Sequence, residues 1–549
     1  MITLGVQLNH RTSVCLFDDD KLLYYNQEER ISRKKDTDYF PVNLLKEVMN
    51  ITSVVDVVTF SSYTFNKDVY EVAFAFIKQI GFTITSDKWI SSCQSHHYYH
   101  AYKSFNSSGF DDALVIVRDG QGSEYTFDDG SKGYETSSVF HFTKEKSNLL
   151  YKRLYRETSL LDVGGILPYE VEKGCQYVVT SRHDVGHFYD LITRHLGLGW
   201  VNACGKLMGL APYGKPNDVI CNLISDGKNF TNTLLKTSWE LDVEKYPFLN
   251  PCNESNRETL KSLAFETQKE TEKFCLDLVK KYSSVSNNIV MTGGVALNIS
   301  ANSYIVNNLP KSFRFYIDPM CGDEGNCIGA AQIINQHTNT SESIYIGGFY
   351  PDYKFSVEED EFVVDASDSD VCDLISSGEI VAFFQGKSEA GPRALGNRSI
   401  LFDPRIVNGN DIVNEVKCRE KFRPFAATIL LEDLEEWFDV ENVKESSHMM
   451  YTFVCKEGVE KIIPSVIHVD NTCRLQTIKR DDNPHYYDII KCFKDKTGVP
   501  LLLNTSFNLA GDPLVETLED ALDTMRRSKI NYMYLPEIGK VIHCTKYLQ

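Results

Sequence analysis

Apolar and polar residues alternate along Ile2–Leu8, Ser13–Phe17 and Leu22–Asn26, and the polar breaks Asn9-His10-Arg11 and Asp18-Asp19-Asp20 separate the three runs. Period-two alternation punctuated by turn residues predicts a three-stranded meander. A comparable design returns further on. Ala113–Val117 predicts a buried strand, Asp119-Gly120-Gln121-Gly122 a turn, Ser123–Phe127 a second strand and Asp128-Asp129-Gly130 another turn. Two copies of strand, polar turn, strand and acidic turn point to a duplicated α/β domain of the actin-like (ASKHA) ATPase type, in which tight turns aim backbone N–H groups and short polar side chains into a cleft. Two unrelated hairpins would leave the same pattern.

Helical spacing covers Ser95–Phe105, Val185–Leu196 and Glu266–Tyr282, and the last leads into a strand at Asn288–Met291 and the turn Thr292-Gly293-Gly294. A second such unit runs from Arg314–Ile317 through Gly322-Asp323-Glu324-Gly325 into Ile328–Asn335. Strand, glycine turn and helix in succession present a helix N-terminus to an anion. Thr338–Tyr353 turns polar and irregular, which predicts a boundary between a domain at 1–345 and another at 346–549. Strands are expected near Ile380–Phe384, Ala426–Leu431, Val466–His468 and Pro500–Asn504, with helices between, so the second domain also reads as α/β.

Length agrees, since 549 residues exceed what one core serves. A net charge of −19 argues against a broad nucleic-acid footprint and leaves local basic pockets as the places for anions. No apolar run approaches bilayer length, the first residues do not resemble a signal peptide, and the 15 cysteines contain no Cys-x-x-Cys pair. A cytoplasmic protein without membrane contact is expected.

His96 and His100 stand four apart on a predicted helix, so their rings share a face. Asp119 and Asp323 each follow a predicted strand, at turns that would face the cleft. Two imidazoles and two carboxylates suit Fe, Mn or Zn better than Ca or Mg. The histidine pair alone would equally fit a partly buried polar helix; the aspartates in glycine turns favour the metal reading.

These residues sit in long motifs. His96-His97-Tyr98-Tyr99-His100-Ala101, Asp119-Gly120-Gln121-Gly122, Lys206-Leu207-Met208-Gly209-Leu210-Ala211-Pro212-Tyr213-Gly214, Gly293-Gly294-Val295-Ala296-Leu297-Asn298 and Gly322-Asp323-Glu324-Gly325 resemble the NodU/CmcH carbamoyltransferase family. So do Gly391-Pro392-Arg393-Ala394-Leu395-Gly396-Asn397-Arg398-Ser399, Phe422-Arg423-Pro424-Phe425-Ala426 and Asn504-Thr505-Ser506-Phe507-Asn508, in the family's order. The resemblance implies an N-terminal domain like the actin-fold enzymes of threonylcarbamoyl-adenosine synthesis and a YrdC-like C-terminal domain. The latter would condense carbamoyl phosphate and ATP, with Mg2+, into carbamoyl-adenylate, and the former would pass the carbamoyl group to a hydroxyl. By motif, His96, His100, Asp119 and Asp323 match the family's Fe2+ site, and Lys417, Arg423, Arg474, Asn504 and Ser506 its carbamoyl-phosphate contacts. Two departures stand out: Ala203-Cys204-Gly205-Lys206 replaces the family's Gly-Glu-Tyr-Lys, and Lys387 stands where an arginine is common.

The implied chemistry brings two polyanions together and needs cations. Arg393, Arg398, Lys417, Arg419, Arg423 and Arg474 form a dense basic set, with Asn504, Ser506 and Asn508 as neutral donors. Surface ion pairs are the bland reading of any single one. Within that frame Lys417 and Arg423 are the catalytic candidates, and Arg393, Arg398, Arg419, Asn508, Gly293, Gly294 and Asn298 the nucleotide contacts. His10 is a candidate general base for the acceptor hydroxyl, or a turn histidine bonded to backbone. His468 is a further candidate for carbamoyl phosphate. The acceptor is expected to be a small molecule such as a sugar, with a hydroxymethylated DNA base as the alternative, and a homodimer is the candidate assembly. A small-molecule kinase of the same superfold and a nucleotide-gated binding protein are the competing readings.

Overall fold

The computed structural model describes residues 1–63, 67–86, 89–90, 95–127, 129–157, 167–169, 175–336, 343–350, 353, 357–358 and 361–544. The chain divides into two compact units, Met1–Tyr24 with Thr37–Glu342, and Tyr25–Asp36 with Ser343–Gln549. Of the boundary expected at Thr338–Tyr353, residues 338–342 and 351–352 lie outside the described residues, as does Asp128 of the second acidic turn.

In the first unit, the meander forms as Ile2–Gln7, Ser13–Asp18 and the opening residues, up to Tyr24, of the strand Lys21–Gln27. Ile2–Gln7 pairs antiparallel with Ser13–Asp18 and parallel with Val57–Ser61, so the sheet runs third, second, first, fourth. A second sheet repeats this order. Asp112–Arg118 pairs antiparallel with Lys132–Thr143, which pairs antiparallel with Ser147–Arg156. On its other edge Asp112–Arg118 pairs parallel with Asn288–Thr292, and that strand with Arg314–Ile317. Two sheets of one connectivity constitute the duplicated actin-like α/β fold.

One element differs from expectation. The second strand of the second copy is Lys132–Thr143, whereas Glu124–Thr126 is a short side strand laid against its start. Lys132–Thr143 is buried over most of its length, Glu135, Thr136, Ser137 and Ser138 included, so it lacks the half-exposed alternation that reveals a strand. Glu266–Tyr282 is likewise only the end of a longer helix, Arg257–Tyr282, whose buried Glu266, Gln268, Glu270 and Glu272 interrupt the apolar stripe.

The helix His96–Ser108 lies on the second sheet, where Ala101 and Phe105 pack against Ala113, Val115, Val117, Phe140, Phe142 and Val290. A buried ion pair anchors its far end. Lys103 Nζ donates to Asp318 Oδ1 and Ser104 Oγ to Asp318 Oδ2, at 2.5 and 2.6 Å, and Asp318 directly follows the strand Arg314–Ile317.

The second unit is built on a ten-stranded mixed sheet. At its centre lie, side by side, Val381–Phe384, Arg398–Phe402, Leu501–Ser506, Ala426–Leu430 and Thr472–Ile478. Val466–His468, expected as a strand, is none: Pro464–Val466 is a single 3-10 turn, and the His468 N–H reaches back from a tight loop to the Thr472 carbonyl. Pro464 has no N–H for a ladder, and the strand starts only at Thr472. The segment Tyr25–Asp36 is held by side chains of its own: Asn26 Nδ2 donates to Glu516 Oε1 (3.2 Å), Arg30 Nη2 to the Gly391 carbonyl (2.7 Å) and Arg33 Nη1 to the Leu514 carbonyl (2.7 Å).

Replacing Lys103 by Met leaves the Asp318 carboxylate buried without its counter-ion, which costs about 3–5 kcal/mol. Urea denaturation followed by circular dichroism should show that loss; a cost below about 1 kcal/mol would contradict the anchoring role.

Candidate active site

Four side chains from three elements converge in the first unit. His96 and His100 lie one turn apart on their helix, with Nε2 atoms 3.0 Å apart. His96 Nε2 is 3.3 Å from Asp119 Oδ2 and 3.3 Å from Asp323 Oδ1; His100 Nε2 is 3.5 and 3.4 Å from the same atoms. All four donor atoms fall within 4.8 Å of one another. Tetrahedral ligands about 2.1 Å from one ion stand roughly 3.4 Å apart, so the imidazole–carboxylate spacings fit a single metal ion of the first transition row. Among the described residues this is the one such cluster.

The local sequence explains why the carboxylates point inward. Asp119 ends the strand Asp112–Arg118, and its Oδ1 accepts the N–H groups of Gly120 (2.7 Å) and Gly294 (3.3 Å), leaving Oδ2 for the imidazoles. Gly293 is required behind it: φ is +85°, and a Cβ would stand 2.2 Å from the Arg118 carbonyl oxygen. Gly293 and Gly294, expected beside a nucleotide, therefore also back the carboxylate of a candidate metal ligand. Asn298 caps the helix Ile299–Asn307 through the Ala301 N–H and exchanges hydrogen bonds with Gln268.

His10 sits in a turn with positive φ at both neighbours, Asn9 and Arg11. Arg11 Nη1 pairs with Glu324 Oε2 at 3.1 Å, and Ser13 Oγ donates to the Glu324 carbonyl, so the first turn of one copy is tied to the last turn of the other. Arg11 and Glu324 escaped sequence reasoning, although each adjoins a candidate. Asn326 also escaped it; its Nδ2 lies 3.2 Å from His100 Nε2.

Electrostatics follow from this crowding. Burial opposes a charge on His96, but Asp323 and Asp119 outweigh it and push the imidazole up to about 10; His100 is raised in the same contest. Burial likewise opposes the carboxylates, yet the hydrogen bonds from His100 and His96 hold Asp119 below the usual range. Against the same opposition from burial, Asp323 is held well below the usual range by the charge of His96, by hydrogen bonds from both imidazoles and by electrostatic interaction with His10.

The second unit gathers cations. Arg474 and Asn504 flank Ala426 in register on adjacent strands. Burial lowers Arg474 to about 9, aided by Arg393 and Arg423; burial also lowers Arg419, aided by Arg423 and Arg474. Lys417, 1% exposed, is driven well below the ordinary lysine value by burial and by Arg419, Arg423 and Lys35. Its ammonium donates to the Ser506 and Asn508 carbonyls and to Asn508 Oδ1, while Ser506 Oγ donates to Asn508 Oδ1. Arg423 is the half-open member, paired with Glu420 at 3.6 Å. Asn504 Oδ1 is buried and accepts no hydrogen bond. Cations buried or half-buried beside one another are unfavourable unless negative charge is supplied, so the cluster is a candidate anion site.

Arg398 does not belong with them. It is completely buried, its guanidinium donates to the carbonyls of Gln385, Gly386, Asn397 and Glu516, and it stacks on Phe384. With its donors spent on backbone, it holds the loop in shape, and the expectation of a nucleotide contact is withdrawn. His468 is a loop residue half-open to solvent.

The fold and the convergent side chains thus define an α/β protein with a cluster of four candidate metal ligands in an actin-like unit and a cluster of cations in a second one. Residues 56–332 match the model described as carbamoyltransferase N-terminus and residues 372–540 that described as carbamoyltransferase C-terminus. The chain belongs to the carbamoyltransferase family and is a transferase enzyme. It is 29% identical to an uncharacterized protein of Methanocaldococcus jannaschii, over 97% of this chain and 98% of that one. It is 30% identical to nodulation protein NolNO of Sinorhizobium fredii over 78% and 61% of the two chains, and 24% identical to 3'-hydroxymethylcephem-O-carbamoyltransferase of Streptomyces clavuligerus over 95% of each. Among the described residues no helix is long and apolar enough to cross a membrane.

Behind the Asp119 turn, the helix Val185–His195 carries His187, which packs with His183 among Tyr134, Tyr155 and Trp239. Burial keeps both imidazoles neutral, His183 drawn down to about 4 and His187 to about 3. The unfolded chain protonates them near 6.5, so it binds more protons and stability falls as pH drops below that value, by about 2 kcal/mol per imidazole at pH 5. Urea titrations between pH 7.5 and 4.5 should show this slope, reduced by one imidazole's share in His187→Phe; equal slopes would refute the assignment.

Proposed function

We propose that the chain is an ATP-dependent O-carbamoyltransferase that works in two stages. In the second unit, read as YrdC-like, carbamoyl phosphate and ATP are condensed to carbamoyl-adenylate, with one water consumed and orthophosphate and pyrophosphate released. Arg423, Arg474, Asn504 and Ser506 bind carbamoyl phosphate, and Lys417, whose ammonium holds Ser506 and Asn508, adds its charge to that site from beneath, while Arg393, Arg419 and Asn508 contact the nucleotide and its Mg2+-bound phosphates. The cluster of buried and half-buried cations around Arg474 is the observation that carries this reading.

In the first unit the acceptor hydroxyl attacks the carbamoyl carbon and AMP leaves. His96, His100, Asp119 and Asp323 would hold a divalent ion, Fe2+ by family precedent, which when bound supplies positive charge for the adenylate phosphate or for the acceptor oxygen. His10, close enough to Asp323 to influence its charge, takes the hydroxyl proton on its imidazole. Gly293, Gly294 and Asn298 shape the turn that approaches the nucleotide. A net charge of −19 favours a small-molecule acceptor over DNA, and a relative named for a hydroxymethyl acceptor supports a primary hydroxyl.

The purified protein given ATP and carbamoyl phosphate should release pyrophosphate. Arg423→Ala should lose at least ~100-fold of that rate, as removal of a charge-stabilising donor does. His100→Ala should keep it yet fail to add 43 mass units, roughly one carbamoyl group replacing a proton, to any acceptor of a hydroxyl panel. Absence of both pyrophosphate and carbamoyl-adenylate with metal-loaded wild type would overturn the reading.

A further inference from the structure

The first turn of the histidine helix has no cap of its own, because the side chain of Ser95 at the N-cap position accepts no hydrogen bond from it. Its free N–H groups are satisfied from another part of the unit. The His96 N–H donates to Ser123 Oγ at 2.8 Å, and the His97 N–H to Glu135 Oε2 at 3.3 Å. The same Glu135 oxygen accepts the Ser123 N–H at 3.1 Å. Ser123 lies at the end of the turn that begins with Asp119, so a single carboxylate joins the start of the helix to the loop of a facing ligand.

Glu135 is itself held rigidly. It is fully buried on Lys132–Thr143, and its Oε1 takes the ammonium of Lys152, 5% exposed on the neighbouring strand. Lys152 donates in turn to the Tyr125 hydroxyl at 3.2 Å. His97 Nδ1 lies 2.8 Å from Ser138 Oγ on the strand that carries Glu135. Space is filled as tightly: a Cβ on Gly122 would stand 2.7 Å from His97 Nε2 and 2.9 Å from Glu135 Cβ.

We propose that Glu135 is a positioning residue of the metal centre, a remote cap whose carboxylate fixes the first helical turn, and with it the directions of the His96 and His100 rings, against the Asp119 turn. A carboxylate at a helix N-terminus meets the positive end of the dipole and takes up N–H groups that have no partner within the helix. Because Lys152 neutralises Glu135, the pair adds no net charge to the centre, and its influence on a bound ion is geometric. Residues that orient ligands in this way alter metal affinity by 10–100-fold when replaced.

This inference rests on the metal-centre reading, and Co2+ binding to the full chain tests the two separately. Wild type should bind one Co2+ with the visible absorption of a low-coordinate N/O site; no such binding would sink the metal reading itself. Glu135→Leu alone leaves Lys152 buried and unpaired, so the double variant Glu135→Leu/Lys152→Met, which keeps the charge balance and removes the accepting oxygen, is the decisive one. It should fold, by circular dichroism and thermal denaturation, bind Co2+ 10–100-fold more weakly and show an altered spectrum. Lys152→Met, which retains the capping carboxylate, should lose less. Wild-type affinity and spectrum in a folded double variant would make Glu135 a mere ion-pair partner and overturn the proposal. Should the double variant fail to fold, Ser123→Ala, which removes only the acceptor of the His96 N–H, decides: several-fold weaker Co2+ binding supports the remote cap, and unchanged binding rejects it.

Discussion

Two carboxylates and two imidazoles within 4.8 Å, all nearly sealed from water, are the constraint around which the first unit is organised. Burying four ionisable groups together is unfavourable unless each is held and the charge is shared. The surroundings meet that demand at Asp119 and along the helix, while His96 Nδ1 is buried with no hydrogen-bond partner. Backbone N–H groups of Gly120 and Gly294 take one oxygen of Asp119, and the Lys103–Asp318 pair pins the helix beside the loop of Asp323. The duplicated fold supplies these turns at the ends of its strands, which is why the ligands, far apart in sequence, arrive at one point.

The second unit solves the opposite problem. Its core site concentrates positive charge, and the lowered values of Lys417, Arg419, Arg423 and Arg474 record first the cost of burying those charges, with repulsion from neighbouring cations added at Lys417, Arg419 and Arg474. Positions in register on three adjacent strands, Arg474, Ala426 and Asn504, give that charge a rigid floor. One arginine of the set, Arg398, serves the loop instead.

Much of this was legible in the sequence where local chemistry dictates local structure. The meander alternates cleanly because its polar turns are short, and the ligands announce themselves by helical spacing and by aspartates after strands. Whatever depends on partners far along the chain was hidden. Lys132–Thr143 reads as polar because its Glu135, Thr136, Ser137 and Ser138 are satisfied inside the sheet. Arg398 looks like any arginine in a glycine-rich motif until its carbonyl partners are known. Arg11 and Glu324 are 313 residues apart, and only the meeting of two turns makes them a pair.

The short stretch Tyr25–Asp36 belongs to the unit whose other residues begin at Ser343. During synthesis this piece emerges early, yet the residues that receive Arg30, Arg33 and Asn26 are made 361, 481 and 490 residues later. The second unit therefore cannot close as its own polypeptide leaves the ribosome; it must recruit a strand of chain already threaded out of the first. Folding is thereby ordered and slow to finish, since contacts between such distant segments carry the entropy of a very long loop. It also means that cutting the gene near residue 345 would not yield two autonomous halves, because the shorter would lack the segment that helps to hold its loops in place.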